Sequence, residues 1–260
     1  MFIDTHCHLD DPKFTDLKEV IADCGKNGVG VMITMGCDAP TSALCRDIAE
    51  KYDGVYFAAG CHPQDADKFS DGDLKLVEEL LKHGKCVAVG EVGLDYYYEG
   101  YDREKQIAVF ERHISLASET GLPLSIHSRE ATKDTLDILK AHKSDLKCGF
   151  VMHCFSGSAE TEKEILDLGG YIGFGGTVTF KNSRKAVEAA KFCPLDRMLT
   201  ETDSPFLAPE GKRGQRNTPA NIPIITEFLA NIKGRGLSEF SERIMKNGEE
   251  LFKKIGKTKK

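Results

Sequence analysis

Long apolar runs are missing from this sequence. No stretch approaches the roughly 18 consecutive apolar residues that a transmembrane helix needs. The first residues, MFIDTHCHLD, do not combine a basic segment with a following apolar segment, as a secretory signal peptide would. We therefore expect neither a signal peptide nor membrane association and, by default, a cytoplasmic protein.

Two further absences narrow the function. Nine cysteines are present but no C-x-x-C pair, so neither a zinc knuckle nor a dithiol redox motif is predicted, and the cysteines are expected to remain thiols. An excess of basic residues is also missing, because 35 Lys and Arg stand against 41 Asp and Glu, for a formal net charge of -6. Such a chain does not adhere generally to nucleic acid or to anionic membranes, so any anionic substrate must be attracted locally.

The sequence contains no linker rich in Pro, Gly or Ser, no low-complexity segment and no internal repeat, which indicates one domain over residues 1–260. Short apolar runs alternate with segments whose apolar residues recur every three or four positions, a pattern typical of alternating strands and amphipathic helices. The predicted strands are Phe2–His6, Val29–Met35, Val55–Gly60, Cys86–Glu91, Leu122–His127, Gly149–His153, Tyr171–Phe174 and Met198–Glu201. The predicted helices between and after them are Leu17–Asn27, Ser42–Tyr52, Asp73–His83, Arg103–Thr120, Ala131–His142, Ala159–Leu168, Ser183–Phe192 and Pro219–Ile232.

Eight strand–helix repeats predict an α/β protein with a closed parallel sheet, the (β/α)8 or TIM barrel, which typically takes about 250 residues. An extra C-terminal helix is predicted over Ser238–Ile255, with Ser238 or Ser241 as its N-cap and Gly256 after its end. The lysine-rich end Lys253–Lys260 is predicted to be a solvated tail; a nucleic-acid contact there is the alternative.

The first predicted strand carries an H-x-H pair. Alternate residues of a strand share a face, so His6 and His8 are expected to point the same way at a separation of ~7 Å and to reach one cation. Cys7 would then face the covering helices as a small buried residue. Taken alone, the pair could equally be two histidines that only form hydrogen bonds.

Residues of metal-binding or acid–base type also lie at the carboxyl ends of five of the predicted strands. They are His62, Glu91, His127, His153 and Asp203. The carboxyl ends of barrel strands converge on one face, so these side chains are expected to surround one site together with the H-x-H pair. A single buried histidine or acid is usually structural, but five such ends favour a site. The other three histidines, His83, His113 and His142, lie in predicted helices and are expected on the surface.

The sequence resembles the TatD family of metal-dependent deoxyribonucleases, a branch of the amidohydrolase-like barrels, over essentially its whole length. The motifs that carry the resemblance are FIDTHCHLD (2–10), AAGCHP (58–63), GEVGLDYYY (90–98), LPLSIHSRE (122–130), MHCFSGS (152–158), YIGFGGTVTF (171–180), LTETDSPFLAP (199–209) and RNTPANIP (216–223).

The resemblance implies two divalent ions per chain. One would be held by His6, His8 and Asp203, the second by His127 and His153, and Glu91 would bridge both. The strand-four lysine that bridges the metals of many other amidohydrolases is absent from CVAVGEVGLD, which is consistent with this role for Glu91. The mixed nitrogen and oxygen donors suit Zn or Mn, whereas Mg prefers oxygen, so Zn, Mg and Mn all remain candidates.

The implied reaction is hydrolysis of a phosphodiester bond by water between two metal ions. Glu91 would act as the bridging group, and Asp203 would orient the water and accept its proton, unless it serves as a ligand only. His62 would contact the substrate phosphate or relay a proton; the alternative is a structural turn histidine before Pro63. Glu201, on the same strand face as Asp203, would support a metal-bound histidine from behind.

DNA is the implied substrate, attacked at single-stranded ends. Arg129 and the basic loop Lys212–Arg216 could attract phosphate, and unpaired bases could stack on Tyr96, Tyr97, Tyr98 and Phe180. The alternative is that the basic side chains are only solvated and the aromatic side chains only packed against the protein. Two other functions stay open: a barrel metallohydrolase of a different small ester, lactone or amide, and a non-catalytic metal-binding scaffold. No protein partner is inferred.

Overall fold

The computed structural model describes residues 1–256, in which strands and helices alternate. The strands are β1 (Phe2–Cys7), β2 (Val29–Met35), β3 (Val55–Ala59), β4 (Cys86–Asp95), β5 (Leu124–Arg129), β6 (Phe150–Met152), β7 (Tyr171–Phe174) and β8 (Met198–Thr200). The helices are α1 (Leu17–Lys26), α2 (Ala39–Lys51), α3 (Asp71–Leu80), α4 (Arg103–Thr120), α5 (Thr132–Ala141), α6 (Ala159–Asp167), α7 (Arg184–Phe192), α8 (Ile222–Ile232) and α9 (Leu237–Leu251). Residues 257–260, the last part of the predicted lysine-rich tail, lie outside the described residues.

The eight strands form one sheet in chain order, and every neighbouring pair is parallel. A parallel bridge between Cys7 and Ser204 joins the end of the sheet to its beginning. Side chains reinforce this seam, since the Thr202 N–H donates to Asp4 Oδ1 over 3.0 Å. The sheet therefore closes, and the predicted (β/α)8 barrel is confirmed.

The core lies on both sides of the barrel wall. Phe57, Phe150 and Phe174 are among its largest fully buried side chains. Cys7 is fully buried as predicted, and its thiol donates to Ile33 O over 3.4 Å. The surface position predicted for His113 is wrong, because this residue is fully buried on the inner face of α4, where its Nδ1 lies 2.8 Å from the Val109 carbonyl.

The strand bounds decide where the site residues stand. β4 continues four residues beyond its predicted end at Glu91, so Glu91 lies within the strand. β6 and β8 stop early, so His153 and Asp203 belong to the loops that follow them.

The extra C-terminal helix is present as α9 and packs against β1 and β8, but its predicted cap is wrong. Gly236 occupies the N-cap, and the Ser241 hydroxyl donates to Ser238 O within the helix. None of the helices within residues 1–256 is long and apolar enough to cross a bilayer.

Candidate metal centre

The six side chains predicted to be metal ligands meet at the carboxyl end of the barrel. They come from β1 and the residue after it, from β4 and β5, and from the loops after β6 and β8: His6, His8, Glu91, His127, His153 and Asp203. Asp203 has a left-handed backbone with φ 56°, an uncommon conformation for a residue other than glycine. Such outliers cluster at functional sites, where the surrounding structure holds them in place.

The Glu91 carboxylate lies between two groups of histidines and is 3% exposed. Its Oε2 is 3.3 Å from His6 Nε2 and 3.7 Å from His8 Nε2. Its Oε1 is 2.9 Å from His127 Nδ1 and 3.1 Å from His153 Nε2. Burial alone would raise the pKa of Glu91, but the surrounding imidazoles hold it well below its usual range. The carboxylate therefore stays ionised, with one oxygen for each group.

Two sets of donor atoms are thereby close enough to enclose a cation. His6, His8 and Asp203 form one set, in which Asp203 Oδ1 lies 3.2 Å from His8 Nε2 and 3.8 Å from His6 Nε2. Glu91, His127 and His153 form the other, in which His127 Nδ1 and His153 Nε2 are 3.3 Å apart.

The second ring nitrogen of each of these four histidines faces an oxygen atom of the protein, although His127 Nε2 and His153 Nδ1 do so without a hydrogen bond. His6 Nδ1 lies 3.3 Å from Ser125 Oγ, and His8 Nδ1 lies 3.3 Å from Met35 O. His127 Nε2 is 3.3 Å from Asp95 Oδ2, and His153 Nδ1 is 3.5 Å from Glu201 Oε1. Partners of this kind fix the tautomer and the ring orientation of metal-binding histidines. With a metal bound, the nitrogens that face Glu91 would be the ones to donate electron pairs to it.

Asp95 is the site residue that sequence reasoning left without a role. Its carboxylate accepts from Gln64 Nε2 over 2.9 Å and from the Tyr97 N–H over 3.0 Å, and so holds a fixed position behind His127. Burial opposes ionisation, yet the His127 imidazole and these donors lower the pKa of Asp95. The sequence did contain a signal for this role, because Asp95 stands four residues after Glu91 on one strand and so shares its face.

Glu201 is fully buried below the site. Besides its contact with His153, its Oε1 accepts a hydrogen bond from the Cys154 N–H. Gly173 on β7 makes room for this carboxylate, because a Cβ at that position would stand 2.4 Å from Glu201 Oε2. The geometry suits the supporting part predicted for Glu201.

His62 lies at the edge of the site, with its Nε2 3.7 Å from Glu91 Oε1. Burial lowers the pKa of His62 to about 4, so the ring is neutral near pH 7. Its Nδ1 accepts a hydrogen bond from the Gln64 N–H over 3.2 Å, which leaves the proton on Nε2. His62 therefore presents a hydrogen-bond donor to the site.

A cavity of about 470 Å³ opens above the six side chains. Its wall includes three further acids, Asp10, Asp11 and Asp65, and Arg129 is the one Lys or Arg residue among its lining residues. Tyr98 and Phe206 also reach it.

The other residues predicted to contact substrate do not line this cavity. Tyr96 stacks on Tyr101 at 4.9 Å, and Phe180 lies 4.4 Å below the Arg213 guanidinium. In the basic loop, Arg216 pairs with Asp16 at 2.6 Å and also donates to Lys13 O, so it fastens the loop after β1.

Several buried polar atoms of the site lack a hydrogen-bond partner among the described residues. His6 Nε2, which faces Glu91 and Asp203, is one of them. Unpaired buried polar atoms are costly, and a bound cation would satisfy the lone pair of this nitrogen. Four imidazoles and two carboxylates directed at shared points fit divalent metal ions by donor type.

Comparison with known proteins agrees with this fit. A family model described as "TatD related DNase" matches residues 3–253. The metal-dependent hydrolase YabD of Bacillus subtilis is 41% identical over 97% of this chain and 99% of its own, and YcfH of Escherichia coli, also a metal-dependent hydrolase, is 38% identical over 96% and 95%. The crystal structure of YjjV, a TatD homologue from Escherichia coli, superposes with a TM-score of 0.92 at 33% identity, covering 97% of this chain and 98% of the other. The chain therefore belongs to the TatD-related DNase family and is by family a metal-dependent hydrolase.

Proposed function

We propose that this protein hydrolyses phosphodiester bonds of DNA at single-stranded ends, with two divalent ions bound per chain. The observation that carries the proposal is the position of Glu91, whose two oxygens each face a separate group of histidines. One carboxylate between two donor sets is the arrangement that a pair of bridged ions requires. When bound, such ions lower the pKa of water and neutralise the phosphoryl oxygens of an in-line displacement.

Asp203 is the residue that orients and deprotonates the attacking water in this proposal. Burial opposes ionisation of Asp203, but the His8 and His153 imidazoles keep its pKa below the usual value, so it is ionised and able to accept a proton. Its side chain lines the cavity, where a water molecule would be held against the substrate. The burial of the neighbouring Glu201 below the cavity leaves it no access to that water.

His62 and Arg129 bind the phosphate in this scheme. His62 directs its Nε2–H donor toward the cavity, and Arg129 contributes a permanent positive charge from the end of β5. Both residues line the same cavity as Glu91, His127 and Asp203, so the phosphate would be held beside the ion sites.

A second candidate is hydrolysis of a small ester, lactone or amide at the same centre. The acidic lining favours it, because Asp10, Asp11 and Asp65 outnumber the single arginine and repel an extended polyanion. A short single-stranded DNA end would also be compatible with the acidic lining, because only a few phosphates would enter the cavity.

Metal-depleted protein, resupplied with Mg²⁺, Mn²⁺ or Zn²⁺ one at a time, tests the proposal on end-labelled single- and double-stranded DNA and RNA. We expect no cleavage without metal, restored cleavage with at least one cation, and stepwise shortening of single-stranded DNA from an end. Cleavage of p-nitrophenyl esters or lactones, with no cleavage of any nucleic acid, would replace the proposal by the second candidate.

A further inference from the structure

One rim of the metal cavity carries a cation packed on two tyrosines. The Arg129 guanidinium lies 3.5 Å from the centre of the Tyr97 ring and 5.2 Å from that of Tyr98, and its Nη1 donates to Tyr98 Oη over 3.4 Å. Tyr98 is nevertheless 51% exposed and lines the cavity. These three residues, Tyr97, Tyr98 and Arg129, form the β4–β5 rim.

A second cation–aromatic pair stands elsewhere on the cavity edge. The Lys13 ammonium lies 4.3 Å from the centre of the Phe206 ring, which is 43% exposed and lines the same cavity. The Phe206 backbone is held in place, since its N–H donates to Asp203 O over 2.9 Å and its carbonyl accepts from Asn217 Nδ2 over 2.7 Å. Phe206 and Lys13 form the β8–β1 rim.

The order of the strands puts the two rims opposite each other. In a closed sheet of eight strands in chain order, β4 lies across from β8, and β5 lies across from β1. Tyr98 and Phe206 follow the first pair of strands, and Arg129 and Lys13 come from the second. The candidate ion sites lie between the rims, with Glu91 and Asp203 in the same cavity wall.

Each rim offers what one nucleoside of a phosphodiester needs. A half-exposed ring provides a flat face for stacking a base, and the adjacent cation provides a partner for sugar or phosphate oxygens. Tyr98 contacts the Tyr97 ring edge to face, with 5.0 Å between the ring centroids, and both Tyr98 and Phe206 keep part of their surface open to the cavity.

We propose that the β4–β5 rim and the β8–β1 rim each bind one of the two nucleosides joined by the scissile phosphate. The proposal rests on the proposed phosphodiesterase function and extends it, because it makes a dinucleotide with both bases the smallest complete substrate. The three acids that line the cavity, Asp10, Asp11 and Asp65, would then confine the enzyme to short stretches of unpaired strand.

Dithymidine monophosphate and two analogues test this proposal, each analogue lacking one of the two bases while keeping the same scissile bond. Variants Tyr98→Ala and Phe206→Ala are compared with the wild-type protein at one saturating metal concentration. Phe192→Ala is the matched control, because Phe192 is 50% exposed on α7 and does not line the cavity. Thermal unfolding of each variant checks that the fold is intact.

We expect wild-type kcat/KM to fall roughly 10-fold when either base is removed, in line with the energy of one base–aromatic stack. Tyr98→Ala should lower kcat/KM on the dinucleotide by about the same factor. It should also abolish the preference for the dinucleotide over one of the two analogues only. Phe206→Ala should abolish the preference over the other analogue, and Tyr98→Phe should keep both.

Equal losses on all three substrates, or a loss of the same size in Phe192→Ala, would overturn the two-rim proposal. Bis-p-nitrophenyl phosphate separates it from the proposed function. If the wild type cleaves that ester but shows no preference for bases, the rims are refuted and the phosphodiesterase stands. If it cleaves no phosphodiester with any metal, both fall.

Discussion

Two acidic residues in the loop after the eighth strand stand two positions apart yet face different surroundings. Asp203 lines the cavity and contacts His8, whereas Glu201 is fully buried behind His153. The Glu-Thr-Asp spacing alone predicts that both point inward. Only the fold gives the two residues different roles. The strand ends at Thr200, and Asp203 then adopts a left-handed backbone conformation.

Asp203→Asn should therefore lose more activity than Glu201→Gln. The asparagine keeps the shape but cannot accept the proton, so we expect kcat to fall about 10²- to 10⁴-fold. Glu201→Gln weakens only the support of His153, which typically costs about 10- to 100-fold. Both kcat values are to be measured at saturating metal, which separates weak ion binding from lost base chemistry. The reverse order would exchange the two roles.

Glu162, which lies away from the site, is expected to make the stability of the protein depend on pH. It is fully buried on α6, and both carboxylate oxygens lack a hydrogen-bond partner among residues 1–256. Burial raises the pKa of Glu162 to about 7, in spite of the nearby Cys193 thiol and Lys233 ammonium. The folded state thus holds this proton more tightly than the unfolded state, so the contribution to stability is full below about pH 4.5 and is lost as pH rises toward 7.

Glu162→Gln should remove that loss. Its free energy of unfolding, relative to the wild type, should rise by about 1–3 kcal/mol between pH 4.5 and 8, because glutamine has no charge to bury. Urea denaturation at a series of pH values measures this difference. Glu164→Gln is the control and should show little change, because Glu164 is only half-buried on the same helix, where it pairs with Lys140. A pH-independent difference between Glu162→Gln and wild type would contradict the assignment.

Secondary-structure elements were predictable from periodicity, and their ends were not. All eight strands and the nine helices within residues 1–256 occur near their predicted places. β4, however, runs on to Asp95, because apolar residues continue at alternate positions after Glu91, at Val92 and Leu94, and every residue of the strand is buried. The N-cap of α9 was missed because Gly236 fills a position for which two nearby serines were the stronger signals.

Substitutions at the carboxyl ends of β5 and β6 are expected to affect activity more than stability. Residues there serve chemistry more than stability, because the core is formed by the strand interiors. His127→Ala and His153→Ala should therefore lower phosphodiester turnover by orders of magnitude, with little change in thermal unfolding of the metal-free protein. His142→Ala, a half-buried histidine at the end of α5, is the matched control and should retain activity. Near-normal turnover of His153→Ala would remove His153 from the ligand set.

At the scale of the whole molecule, the sequence predicted the barrel and the grouping of six ligand-type side chains, since parallel strand ends must converge. It could not predict which side chains support them, because Asp95, Ser125 and the Met35 carbonyl reach the histidines through contacts between different strands. The proposed substrate-binding surface was the least predictable part. Phe206 and Lys13 come from loops whose position depends on closure of the barrel, whereas Phe180 and the basic loop contact other side chains.

The number of metal ions bound per chain tests directly whether the protein has a two-ion centre bridged by Glu91. Metal-depleted protein is titrated with Mn²⁺ or Zn²⁺, and the bound ions per chain are counted after removal of the excess. We expect two ions for the wild type, one for His127→Ala, and weaker binding of both for Glu91→Gln. A single ion in the wild type, or a second ion that His127→Ala and Glu91→Gln leave undisturbed, would contradict this expectation.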